Sequence, residues 1–117
     1  MPIQAQEMER CIALCQECHE VCLRNVSQCL DKGGQHAQAS HIRVLLDCAE
    51  ICETSANFMI RGSELHVETC RACSEVCQRC ANDCQRLGND PDMQACADVC
   101  LRCAESCAQM AGAYAHA

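Results

Sequence analysis

Large rings are almost missing from this sequence. It has no tryptophan, one phenylalanine and one tyrosine in 117 residues. A conventional core packed around aromatic side chains is therefore excluded. Positive charge is also scarce: nine Lys and Arg face sixteen Asp and Glu, for a formal net charge of −7. That balance argues against nucleic acid or an anionic membrane surface as a partner. No apolar run approaches the roughly 18 residues of a membrane span. The opening residues, MPIQAQEMER, show neither a basic segment nor an apolar one, so no secretory signal is visible. The expected setting is cytoplasmic; an exported chain already trimmed of its signal would read the same way. There is no strand-like alternation and no low-complexity linker. Residues 1–117 are expected to form one domain.

What fills the gap is cysteine, sixteen of them. One short pattern recurs four times. Residues 73–80 read C-S-E-V-C-Q-R-C, residues 18–25 C-H-E-V-C-L-R-N, residues 48–55 C-A-E-I-C-E-T-S and residues 96–103 C-A-D-V-C-L-R-C. Reuse at this spacing marks one repeated structural unit. Extended by steps of three and four, the copies become stripes. The first holds Cys11, Cys15, Cys18, Cys22 and, past Asn25, Cys29. The second holds only Cys48 and Cys52, with His41, Leu45, Ser55 and Met59 at the same steps. The third holds Cys70, Cys73, Cys77, Cys80 and Cys84, and the fourth Cys96, Cys100, Cys103 and Cys107. Alternating steps of three and four stay on one face of an α-helix. Each helix thus carries its thiols where a bundle helix normally carries leucine and isoleucine.

Punctuation sets the helices. The first spans about 4–31 and stops at Gly33 and Gly34. The second runs over about 35–61 and closes at Gly62. The third starts from Ser63 as cap and reaches about 87. The fourth starts from Asp90 with Pro91 in its first turn and continues to about 112. Residues 113–117 are expected to fray. Short connections make successive helices antiparallel, so the fold class is all-α: an up-down-up-down four-helix bundle with a cysteine-lined core. Glu20–Arg24, Glu75–Arg79 and Asp98–Arg102 are outward i,i+4 pairs of little energetic weight. Apolar residues off the stripe, among them Leu14, Leu30, Leu46, Ile60, Leu65 and Val99, complete the helix seams or form a second face for contacts between subunits.

Sixteen thiols at core spacing are too small to serve merely as packing, because they would underfill the interior. A disulfide scaffold fits poorly too. Cβ atoms at i,i+3 and i,i+4 stand about 5–6 Å apart, whereas a disulfide requires about 3.8 Å. Only bridges between helices would remain, and not for a continuous stripe. Metal is the remaining role. Four separate zinc sites would bury a charge of about −8 with no basic residue on the stripe to offset it. Cu(I) is monovalent and soft. Bridging thiolates would bind it at about one ion per cysteine and leave the core nearly neutral. Two other readings stay open: a zinc or mixed-metal thiolate buffer, and an iron–sulfur or redox electron-transfer protein. Enzymatic chemistry is not expected, since no Cys/His/Asp group stands apart from the stripes.

The repeat C-x-E-V-C, with C-x₃-C-x₂-C-x₃-C on successive helices, resembles the bacterial copper storage proteins. The resemblance runs from about residue 8 to 110, and the absence of a visible export signal is similar to their cytosolic branch. It implies a homotetramer of bundles that sequester many Cu(I) ions per chain. A copper chaperone or a low-molecular-weight thiol would act as donor. It also implies loading through one end of the bundle, at the start of the second helix and the loop between the third and fourth. Here that end carries His36, His41, Asp90, Asp92 and Met93, with His41 where some members have a further cysteine. The loop 89–92 departs from the His-rich sequence common in that branch. At the opposite end Met8, Met59, His66, Met110 and Tyr114 fall at core spacing. They read as a plug, with His66 either a capped core residue or an outer ligand. The residues themselves do not choose between the two ends.

Overall fold

The structure, a computed structural model, describes residues 2–112, with side chains from residue 5 onward. Tyr114, His116 and the tail 113–117 lie outside the described residues. Four helices follow one another: α1 (Pro2–Lys32), α2 (Ala39–Ile60), α3 (His66–Arg86) and α4 (Pro91–Met110). They stand in a square. Each packs against its neighbours in sequence, α4 closes back onto α1, and the diagonal helices meet only through core side chains, as Cys48 of α2 does with Cys100 of α4 at 3.9 Å. The principal extents are 47 × 26 × 19 Å. The up-down-up-down bundle is thus what the sequence anticipates.

Two helix starts differ from expectation. Residues 34–37 form a separate 3₁₀ turn, and Gln38 is extended (φ −62°, ψ 141°) before α2 begins at Ala39. Gly33 and Gly34 both take positive φ, at 71° and 57°, which lets the chain reverse in so few residues. Ser63 does not cap α3 directly. Its Oγ accepts from the Leu65 amide in a turn, and regular helix starts at His66. Asp90 behaves as anticipated: its side chain accepts from the Asp92 and Met93 amides, and Pro91 follows at the first helical position.

The seams are narrow because alanine flanks the thiols. Ala49, Ala56, Ala81, Ala97 and Ala104 are buried beside the stripes and let the helices draw close. Leu14 and Val99, placed off the stripe by sequence, are buried in these seams, and Leu45 is fully buried. Leu30, Leu46, Ile60 and Leu65, together with Leu23, remain exposed as an outer apolar set. Phe58 lies beneath the Arg61 guanidinium, 4.4 Å from its centroid. The three i,i+4 ion pairs form as expected on the outside. No helix of the described residues is long and apolar enough to cross a membrane.

Candidate metal centre

Every cysteine in the chain is fully buried and unbridged. The antiparallel helices bring thiols from distant positions side by side. Cys11 and Cys15 meet Cys107 at 3.6 Å, and Cys18 meets Cys48 and Cys100 at 3.7 Å. Cys52 meets Cys77 at 3.5 Å and Cys73 at 3.7 Å, and Cys103 meets Cys15 at 3.7 Å. A metal–thiolate bond of about 2.3 Å allows two sulfurs on one ion to stand up to about 4.6 Å apart. The thiols therefore need no helix movement to share ions.

The arrangement is continuous. Cys22, Cys80, Cys96 and Cys100 form one quartet, with all four sulfurs within 4.8 Å of one another. That quartet shares Cys22 and Cys100 with Cys18 and Cys48. These two join Cys52 and Cys77, which in turn join Cys73 and Cys103. The last pair completes a quartet with Cys15 and Cys107. These five quartets share edges along the axis and draw on twelve sulfurs between them. Isolated four-thiolate sites cannot be cut from such a ladder without competing for the same ligands.

Hydrogen bonds between thiols set their acidities. Donation from Cys100 and from Cys107 pulls Cys18 and Cys103 down respectively. The donors are pushed up in turn, Cys100 by its bond to Cys18 and Cys107 by its bond to Cys103. Burial pushes the Cys29 thiol up, more than nearby Lys32 lowers it. The Cys70–Cys107 hydrogen bond favours ionisation of Cys70, but Cys11 and burial outweigh it, and Cys70 is pushed up to about 12. The metal-free core is a proton-sharing network, and a metal entering it must displace protons.

Beyond the ladder, Cys29 and Cys84 lie at one end and Cys11 and Cys70 at the other. His41 joins the first of these. Its ring is fully buried, with Nε2 3.4 Å from Cys29 Sγ and Nδ1 2.6 Å from Asp83 Oδ2. With Nδ1–H donating to the carboxylate, the Nε2 lone pair faces the thiol. Burial works against the Asp83 carboxylate, but hydrogen bonds from His41 and Arg86 outweigh it and hold its pKa below the ordinary value. Asp83 was not singled out from sequence. It sits one position before Cys84, just off the stripe. The available signal was the buried histidine itself, which requires a partner at its own level on a neighbouring helix.

The other residues expected at this end also gather there. Met93 is fully buried. Lys32 Nζ bridges Asp90 and Asp92 at 2.5 and 3.0 Å, and His36 Nε2 lies 3.1 Å from Asp90 Oδ2. Asn25 is buried and donates from Nδ2 to the Val21 carbonyl, leaving Oδ1 without a protein partner. Ser55 is fully buried with its Oγ unpaired. At the opposite end Met59 is buried against Cys70, and Met8 and Met110 pack partly buried beside the core. His66 does not reach the thiols. Its Nδ1 donates to the Ser63 carbonyl and steadies the start of α3. His19 likewise braces α1 against α2 through the Ala49 carbonyl.

A family described as copper storage protein matches residues 4–112. The chain belongs to the copper storage protein family. Among solved relatives, the Nmul_A1745 protein of Nitrosospira multiformis is 41% identical. The likeness covers 93% of this chain and 98% of that one, with a TM-score of 0.88. The Cu(I)-bound copper storage protein BsCsp3 is 33% identical over 90% of this chain and 98% of its own, with a TM-score of 0.83. Csp3 of Bacillus subtilis without metal is 34% identical over 88% and 97%, with a TM-score of 0.80. A curated relative, the uncharacterized cysteine-rich protein YhjQ of Bacillus subtilis, is 35% identical over 70 residues. That match spans 60% of this chain and 65% of the relative.

Proposed function

We propose that this chain stores Cu(I), many ions at a time, on the thiolates of its core. The observation that carries this reading is the edge-sharing ladder of thiol quartets. Shared edges suit bridging thiolates, and bridging suits a soft monovalent ion. With about one Cu(I) per thiolate the buried charge nearly cancels. Separate zinc sites would leave about −2 each in a core that holds no cation. The family's Cu(I)-bound member supports the same cargo. All sixteen cysteines are assigned as ligands.

His41, His36 and Met93 are assigned to the end where copper enters. His41 fits because its Nε2 faces Cys29, and Met93 because it is a buried soft donor. His36 stands on the rim among Asp90, Asp92 and Lys32. The whole chain acts as one storage domain with no catalytic role. Sixteen unbridged thiols fit a reducing, cytoplasmic setting. The exposed Leu23, Leu30, Leu46, Ile60 and Leu65 fit burial between chains, in a homotetramer. A copper chaperone or a small thiol delivers the ion.

An anaerobic titration with Cu(I) against a chromophoric competitor tests this reading. Each chain should take up about one ion per cysteine while free thiol disappears. Saturation at one or two ions would refute storage. Zinc that stoichiometric Cu(I) fails to displace would instead establish a zinc buffer.

A further inference from the structure

A ladder of bridged ions has a problem at its ends. Interior ions have thiolates above and below; the last ion has them on one side only. Another thiolate there would supply a ligand but add uncompensated charge in an apolar setting. A neutral soft donor supplies the ligand without the charge. At the α1/α4 start-to-end face of the tube, the structure holds such a donor outside every quartet named above.

Met59 is the last core residue of α2 and is 2% exposed. Its Sδ accepts from Cys70 Sγ at 3.8 Å. That spacing is within the about 4.6 Å open to two sulfurs on one ion. Cys11 and Cys107, whose own sulfurs are 3.6 Å apart, are the thiols that bear most strongly on the acidity of Cys70. Three thiols and one thioether thus converge where the ladder runs out. Taken alone, a buried methionine is a flexible apolar filler. What distinguishes Met59 is that its sulfur, rather than only its methylenes, faces the terminal thiol.

We propose that Met59 Sδ, with Cys70, Cys11 and Cys107, forms a terminal site for a soft monovalent d¹⁰ ion, Cu(I) in the first instance. The thioether lends a lone pair and releases no proton; the protons displaced by the ion come from the thiols alone. The site closes the ladder with a neutral ligand. This inference rests on the Cu(I)-storage reading, and the two can fail separately.

Methyl-¹³C-methionine labelling of the full chain tests it without any substitution. On anaerobic titration with Cu(I), the Met59 methyl resonance should shift by saturation, with the Met110 methyl as internal control. The variant Met59→Leu keeps an apolar side chain of similar volume, so a plug survives and a ligand is lost. It should bind one ion fewer per chain. An unmoved Met59 methyl in a protein whose thiols have all been consumed overturns the terminal site and leaves storage standing. So does a Met59→Leu chain that takes the full complement. Failure of the thiols to load at all overturns both.

Discussion

The two ends of the tube present different chemistry to the same thiol ladder. At the α2 start, nitrogen and oxygen meet sulfur: Asp83 holds His41, His41 faces Cys29, and Lys32, Asp90 and Asp92 ring the rim. At the α2 end, sulfur meets sulfur, Met59 against Cys70, with Met8 and Met110 packed beside them. One end holds titratable groups that can exchange protons and waters with an arriving ion. The other is lined, among the described residues, by neutral methionine side chains.

That contrast breaks most completely if both ends admit copper equally. Replacing His41 with Leu should slow uptake from a Cu(I)–chelator donor by at least about tenfold, with final capacity lowered by no more than one ion. Met59→Leu should leave the rate unchanged. Stopped-flow loading of the two variants side by side reads this directly, and equal slowing in both would abolish the distinction between the ends.

A smaller effect sharpens the role of Asp83. Asparagine can still accept the Nδ1 hydrogen but carries no charge. Asp83→Asn should therefore weaken Cu(I) binding at the His41 end by roughly tenfold, and Asp83→Ala by more. Competitor titration of the first ion bound measures both. An alanine variant that binds like the parent would show that the carboxylate only braces the helices.

The smallest effect concerns the rim. The Lys32 ammonium beside Asp90 holds its carboxyl down at about 2, assisted by the Asp92 and Met93 amides. A folded-state value below the unfolded value of about 3.9 means that this stabilisation is complete above about pH 4 and is lost as pH falls through about 2. Asp90→Asn keeps a competent helix cap and removes the charge. It should lower the melting temperature of the metal-free protein by roughly 1–3 °C at neutral pH, by much less near pH 2 and by nothing below it. An equal difference at both values would mean that the cap geometry, and not the charge, carries the effect.

Much of the ladder was legible before any coordinates, because helical periodicity is a local property. The steps from Cys70 to Cys84 fix one face whatever the helix packs against. The stop at Gly62 and the start at Asp90–Pro91 were equally local. Helix starts without so strong a signal were less so. Gln35 continues a helical pattern, yet two left-handed glycines and extended Gln38 insert a separate turn before α2. Leu14 and Val99 leave the stripe, and periodicity alone did not divide such residues between helix seams and an outer face; the square packing buried these two in its seams.

The sequence by itself determined that four helices would each turn a row of thiols inward, since three-and-four spacing leaves no other face to them. It also determined that the core would have no cation and few large side chains. Only the tertiary structure decided which sulfurs meet. The stagger of one helix against the next depends on turns and seam residues far apart in the chain, so the shared edges of the quartets cannot be read from any one stripe. The same holds for His41 and Asp83, 42 residues apart, and for Met59, whose sulfur could have pointed anywhere until α3 set Cys70 beside it.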